Sequence, residues 1–296
     1  MHVTINGQDY KFVPNAMQDE AARESYFRLV HSVFGLEFTP WYESGFSDDS
    51  FIPYTLFADN RAVASVGVVV NDFTWRNSPR RYVQISTVVT DPAYRKRGLS
   101  RWLTETALDE WREKCNCIYL YANDSVVEFY PKFGFIPAQE YTYSMPLTKR
   151  DGIFRKLDLG VQSDVELLIQ KHRASNPFSL LAMDDDIGIL MFHCVTFLRD
   201  YIYYIEKYDA VVIAAEEERE LFCYDIYASA PSDISDLLGI IASEDTHAVT
   251  LGFTPKDGTG YTIEQAEEEN TTFFVLEGKE NILADHKVTF PFLSRA

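Results

Sequence analysis

The stretch from Arg81 to Ala122 constrains the fold more than any other. Residues 81–89, Arg-Tyr-Val-Gln-Ile-Ser-Thr-Val-Val, alternate as a strand. Asp91-Pro92 ends it, because proline cannot donate to a sheet ladder. A helix follows from about Gly98 to Lys114, with Leu99, Trp102, Leu103, Thr106 and Leu108 spaced to face inward, and residues 117–122 form another apolar strand. Strand, helix and strand in so short a span ask for an α/β domain. The flanks agree. Met17 to Phe34 carries apolar residues at helical spacing, and Asp59-Asn60 turns a hairpin between residues 51–57 and 61–70. Asn123-Asp124-Ser125 opens a short helix that stops near Lys132, and two further strands lie between Phe133 and Pro146. After a connector at 151–161 the rhythm returns: helices at 161–174, 184–198 and 232–242, and strands at 201–207, 210–215, 220–228 and 247–253. The expected architecture is α/β, a mixed α+β central sheet in each of two similar domains in tandem, 1–150 and 151–296.

Charge is unevenly spread. The chain of 296 residues has 27 basic and 45 acidic residues, a net charge of −18, which argues against a nucleic-acid binder. Residues 1–150 hold 16 basic and 18 acidic residues, whereas 151–296 hold 11 and 27, so the acidity belongs to the second half. Against that background, residues 76–101 contain Arg76, Arg80, Arg81, Arg95, Lys96, Arg97 and Arg101 with one acid, Asp91. A basic cluster around a glycine between a strand and a helix points to an anion site. No apolar run approaches the roughly 18 residues of a membrane span, and the N-terminus shows no secretory signal. Four cysteines are too few for a disulfide framework, so a reducing, cytoplasmic compartment is expected. Cys115 and Cys117 have no second pair for zinc, the six histidines form no metal frame, and Asp184 to Asp186 lacks the glycine and spacing of a calcium loop, so no metal is expected.

The chemistry concentrates in Val88-Val89-Thr90-Asp91-Pro92-Ala93-Tyr94-Arg95-Lys96-Arg97-Gly98-Leu99-Ser100-Arg101. Gly98 lets a ligand approach the backbone, and the first N–H groups of the following helix have no partner within it. A pyrophosphate could accept them, helped by the helix dipole and the Arg-Lys-Arg run. The segment resembles the acyl-CoA loop of the GNAT acyltransferase superfamily, Arg/Gln-x-x-Gly-x-Gly/Ala, standing here as Arg95-Lys96-Arg97-Gly98-Leu99-Ser100. Downstream, Asn123 and then Phe129-Tyr130-Pro131-Lys132-Phe133-Gly134-Phe135 resemble the superfamily's second signature. The joint likeness covers roughly residues 50–147.

That resemblance implies a site. The pantetheine arm of acetyl-CoA, the co-substrate, would lie between splayed strands 84–90 and 117–123, on main-chain groups of Val88, Val89 and Thr90. The N–H groups around Lys96 to Arg101 would bind the pyrophosphate, and Asn123 would hold the cofactor or order a water. Tyr130 would act as general acid toward the departing thiolate while an amine attacks directly. A Glu often stands eleven residues before the loop Arg; here that position is Gln84, which accepts no proton. The base is left open among another carboxylate, a water chain, the carboxylate at Ala296, or solvent alone. The tandem plan distantly resembles the acetyltransferases of the enhanced-intracellular-survival type, which carry a further domain. In the second half, Ala-Ser-Ala-Pro-Ser-Asp-Ile-Ser-Asp follows the corresponding strand, with no glycine and no basic run, so that half is expected to shape the acceptor site and not to bind CoA. Its acidity favours a cationic small-molecule or peptide amine, or serves only solubility. Neither nucleic acid nor membrane is an expected partner, and a homodimer is compatible. The alternatives are an acyl-CoA sensor without turnover and a scaffold.

Overall fold

The computed structural model describes residues 1–229 and 232–296. In chain order the first half contains β1 (His2–Ile5), β2 (Gln8–Val13), α1 (Glu20–Phe34), α2 (Thr39–Glu43), β3 (Phe51–Ala58), β4 (Arg61–Trp75), β5 (Ser78–Thr90), α3 (Leu99–Trp111), β6 (Cys117–Asn123), β7 (Phe135–Pro137) and β8 (Tyr141–Pro146). The second contains β9 (Arg155–Lys156), α4 (Gln162–Arg173), β10 (Leu181–Met183), α5 (Ile187–Thr196), β11 (Ile202–Ile205), β12 (Ala210–Glu217), β13 (Glu220–Ala228), α6 (Ile234–Ile241), β14 (Ala248–Leu251), β15 (Thr262–Gln265) and β16 (Thr271–Leu276). Among the described residues no helix is long and apolar enough to cross a membrane.

Two mixed sheets result. The first runs β1-β2-β3-β4-β5-β6-β16-β7, with β10 paired to β4; the second runs β15-β8-β14-β13-β12-β11-β9. Each has one parallel pair, β5 with β6 and β13 with β14, and each pair is joined through one helix, α3 or α6. Parallel neighbours need such a crossover, whereas antiparallel ones can be closed by a tight turn. Leu99, Leu103 and Leu108 of α3 pack on Val83, Ile85 and Leu120, and Leu237 and Leu238 of α6 pack with Ile226 and Leu251. A third, larger core joins the sheets, with Tyr82, Tyr119 and Phe290 in one cluster with Ile213 and Tyr227.

The helices stop and start as their caps dictate. Asp19 accepts the Ala22 N–H at 2.8 Å, so α1 begins at Glu20, and Gly35 closes it in left-handed backbone. Asp186 likewise caps α5. The expected short helix after Asn123 is instead two 3-10 turns, Asp124–Val126 and Tyr130–Phe133, with Pro131 inside the second. The β1–β2 hairpin, β15 and β16 were not legible as strands. The two strands expected between Phe133 and Pro146 lie in different sheets: β7 stays in the first sheet and β8 enters the second, while β16 returns from residue 271 to lie between β6 and β7. The two sheets therefore exchange strands across residue 150.

Phe290 binds the halves. It is fully buried, with its ring 4.3 Å from that of Tyr119 and 5.5 Å from that of Phe273. Phe290→Ala leaves a cavity in this shared core and should cost about 3–5 kcal/mol. Because strands are exchanged, urea unfolding followed by tyrosine fluorescence and by circular dichroism should show one coincident transition in both proteins. Two separated transitions would contradict the coupling.

Candidate active site

The parallel ladder of β5 and β6 pairs Tyr82 with Cys117, Val83 with Ile118 and Gln84 with Tyr119, and there it ends. Both strands continue, β5 to Thr90 and β6 to Asn123, each held on its far edge, by β4 and by β16. Between them lies a gap with free main-chain edges. The Asp91 N–H donates to the Val63 carbonyl at 2.9 Å, and Val89 pairs with Ser65. Peptide groups alternate along a strand, so those of Val88 and Thr90 turn to the gap, while Val89 is committed to β4. A β-bulge breaks the β4–β5 register between Ser65 and Gly67, and opposite it Thr87 holds φ at 46°. A Cβ on Gly67 would lie 3.0 Å from the Ser86 carbonyl oxygen, so a side chain there would crowd the bulge.

At the wide end of the gap stands α3. Its N-cap is Gly98, left-handed at φ 80°, with no capping side chain and no acid in the first turn. The first N–H groups are thus available to an anion. Lys96 also takes a left-handed φ, 62°, which folds the basic run around the helix mouth. Ser100 and Thr90 share a hydrogen bond at 2.7 Å, tying helix to strand. Arg95 Nε reaches the Thr90 carbonyl at 3.4 Å, and Arg101 is exposed. Arg97 points elsewhere, with its guanidinium 4.6 Å over the Tyr94 ring. Asn123 accepts the Ser125 N–H at 3.1 Å, so its carbonyl group shapes the turn after β6.

Tyr130 belongs to the α3-side core with Ile85, Leu120 and Ala122, its ring edge-on to Phe129 and Phe135. Its hydroxyl has no hydrogen-bond partner among the described residues, and burial pushes its pKa up to about 12. It therefore stays protonated at neutral pH, the state a proton donor needs.

Gln84 is not idle. Its Nε2 donates to the Ala296 main-chain oxygen at 2.9 Å and its Oε1 accepts the Ala296 N–H at 3.0 Å. Only an amide does both, which explains glutamine over glutamate. Asn71 donates to the Ser294 carbonyl at 3.0 Å and His193 Nε2 to that of Arg295 at 2.7 Å. Burial holds His193 down at about 4, hence neutral. Residues 294–296 are thus held one by one from β4, α5 and β5. The Arg295 guanidinium pairs with Glu140 and Glu268, each at 3.2 Å, and lies 4.6 Å over the Tyr121 ring. No sequence pattern marked Asn71, His193, Glu140 or Arg295; the only signal is polarity within an apolar strand for Asn71 and within an apolar helix for His193, while Glu140 and Arg295 lie outside both.

Beside the bulge an apolar pocket is lined by Phe38, Trp41, Phe51, Thr87, Phe192 and Ala296, with Ser50 at its polar side. Ser50 lies 3.4 Å from Asp186, which also accepts the Ile189 N–H. In the second half, Asp233 caps α6 through the Ser235 N–H at 2.7 Å and Asp236 sits in its first turn, so that helix mouth carries acids. Ala230 and Pro231 of the preceding segment lie outside the described residues. Among the described residues no group of three or more His, Cys, Asp or Glu is arranged to hold a metal ion.

Residues 16–135 match the model of the acetyltransferase (GNAT) family. No curated protein matches the chain. Among solved structures, a conserved protein of Enterococcus faecalis described as a probable N-acyltransferase shares 13% identity over 90% of this chain and 73% of its own, with a TM-score of 0.58. A GCN5-related N-acetyltransferase of Kribbella flavida shares 18% over 90% and 71%, TM-score 0.53, and Eis1 of Mycobacterium abscessus 15% over 89% and 72%, TM-score 0.53. At such identities the likeness establishes the fold, and it spans both sheets.

Asp186 yields a pH test. Burial, with Asp48 and Asp72 adding repulsion, raises its pKa to about 7. The folded state then holds this proton more tightly than the unfolded chain. Stability contributed here falls as pH climbs from about 4 to 7 and stays low above. Asparagine still caps α5, so Asp186→Asn should gain stability over the native protein across that interval, with the gap level beyond pH 7. Urea midpoints between pH 4 and 8 measure it; a gap independent of pH would refute the assignment.

Proposed function

Because residues 16–135 carry a domain of the acetyltransferase (GNAT) family, we propose that the protein is an acyl-CoA-dependent N-acyltransferase using acetyl-CoA. One observation carries the reading: the β5–β6 ladder stops at Gln84 and Tyr119, and the resulting gap leads to an uncapped helix mouth, with the exposed Arg95, Lys96 and Arg101 on either side of it in the chain. A pantetheine arm is a chain of amides and fits between two free strand edges, bonding to Val88 and Thr90. The diphosphate meets the N–H groups of Gly98 to Arg101, where dipole and side-chain charge act together. The acetyl thioester then reaches the bulge at Thr87, next to the apolar pocket.

There the acceptor amine attacks the thioester carbonyl, the C–N bond forms and the C–S bond breaks. The departing thiolate takes the Tyr130 proton. Gln84 takes no proton, so the acceptor arrives as a free amine or loses its proton to another carboxylate, a water chain, the carboxylate at Ala296 or solvent. The pocket beside the bulge is small and apolar, with Ser50 on its polar side. The acidity of the second half favours additional positive charge on the acceptor. The second half serves as acceptor-side wall through α5 and residues 294–296 and binds no CoA itself. The free cysteines, Cys115, Cys117, Cys194 and Cys223, agree with a reducing, cytoplasmic setting.

The second reading, an acyl-CoA sensor without turnover, is favoured by the engagement of Gln84 with Ala296. Calorimetry with CoA followed by thiol release over a panel of amines separates the two. Binding with release supports the enzyme, binding without release supports the sensor, and no binding removes both. Tyr130→Phe should lower turnover by roughly 10²-fold with CoA affinity unchanged, the loss expected for a general acid. An unaltered rate would remove Tyr130 from the mechanism.

A further inference from the structure

The loop before α3 is braced by a hairpin that lies outside the family match. β1 and β2 meet in a turn where Asn6 and Gly7 both take left-handed backbone, φ 51° and 79°. Asn-Gly is the residue pair that such a two-residue hairpin turn requires. The tip rests on the loop. Asn6 Nδ2 donates to the Arg97 carbonyl oxygen at 2.8 Å. Gln8 Oε1 accepts from Arg97 Nη1 at 2.9 Å and from the Tyr10 hydroxyl at 2.9 Å. Arg97 Nη2 donates to the Ala93 carbonyl at 2.8 Å. A Cβ on Gly98 would lie 2.9 Å from Asn6 Nδ2, so the amide packs directly against the glycine.

The planar peptide makes this contact consequential. In a trans peptide the carbonyl and the following N–H point in opposite directions. By drawing the Arg97 carbonyl toward the hairpin, Asn6 turns the Gly98 N–H the other way. Gln8 draws the Arg97 guanidinium aside as well, so the side-chain charge at the helix mouth comes from Arg95, Lys96 and Arg101. We propose that Asn6, backed by Gln8, is a positioning residue for diphosphate recognition: it holds the 97–98 peptide so that the Gly98 N–H faces the anion. This rests on the acyl-CoA reading of the same site.

Two variants of the full chain test it. Asn6→Gly keeps the left-handed turn and deletes the amide. Asn6→Asp keeps the shape and replaces the donor with an acceptor that repels the Arg97 carbonyl. Binding is measured with CoA by calorimetry and with pantetheine, which lacks the diphosphate, by ligand-observed NMR; thermal melting monitors the fold. Loss of one hydrogen bond's preorganisation predicts about tenfold weaker CoA binding for Asn6→Gly and more for Asn6→Asp. Pantetheine affinity and melting temperature should stay at native values. Unchanged CoA affinity in Asn6→Gly, or equal losses for CoA and pantetheine, would overturn the proposal. A native protein that binds no CoA would instead bring down the acyl-CoA reading beneath it.

Discussion

Everything at the site depends on two parallel strands parting. A sheet gains by continuing its ladder, and buried N–H and C=O groups left bare are costly. β5 and β6 nonetheless separate after Gln84 and Tyr119, and what keeps them apart is visible on their outer edges. β4 claims Val89 and, through Val63, Asp91; β16 claims β6 from Tyr119 to Asn123. The bulge at Thr87 bends β5 away, and Gly67 makes room for the bend. The cost is tolerable only if another chain of amides takes the vacant edges or water does, and that is the physical reason the gap reads as a binding slot.

Much of this was legible because it is local. The strand, the Asp91-Pro92 stop, the glycine and the basic run lie within a few residues, and strand–helix–strand order implies a crossover. The features that escaped are long-range. Nothing near residue 271 announces that β16 will sit between β6 and β7, since its Thr-Thr-Phe-Phe-Val-Leu pattern would suit either sheet. Gln84 read as a missing base because its partner, Ala296, is 212 residues away. The basic run read as uniformly available, yet Arg97 is spent on Gln8, which composition cannot reveal.

The second sheet repeats the device and uses it differently. β13 and β14 run parallel from Glu220–Ala248 to Cys223–Leu251 and then part, with a bulge at the matching place on the β12 side. Here the chain itself lies at the fork. The Phe292 N–H donates to the Gly252 carbonyl at 2.7 Å, and its ring packs on Phe222 and Tyr224. A duplicated fold thus has one open fork with a basic helix mouth and one self-covered fork with Asp233 and Asp236 at the helix mouth.

The second half reaches the first through its last residues. Residues 291–296 cross from the second fork to the first site. Phe292 is seated on β13, Arg295 is pinned between Glu140 and Glu268, and Ala296 is clamped by Gln84 at the edge of the apolar pocket. Arg295 is only partly exposed, and its guanidinium pairs with Glu140, itself buried, which holds the segment in one position. The wall of the apolar pocket at Ala296 is thereby tied to the second sheet through Phe292. Of the two forks, the one in the first sheet stands open, while the one in the second is covered by Phe292.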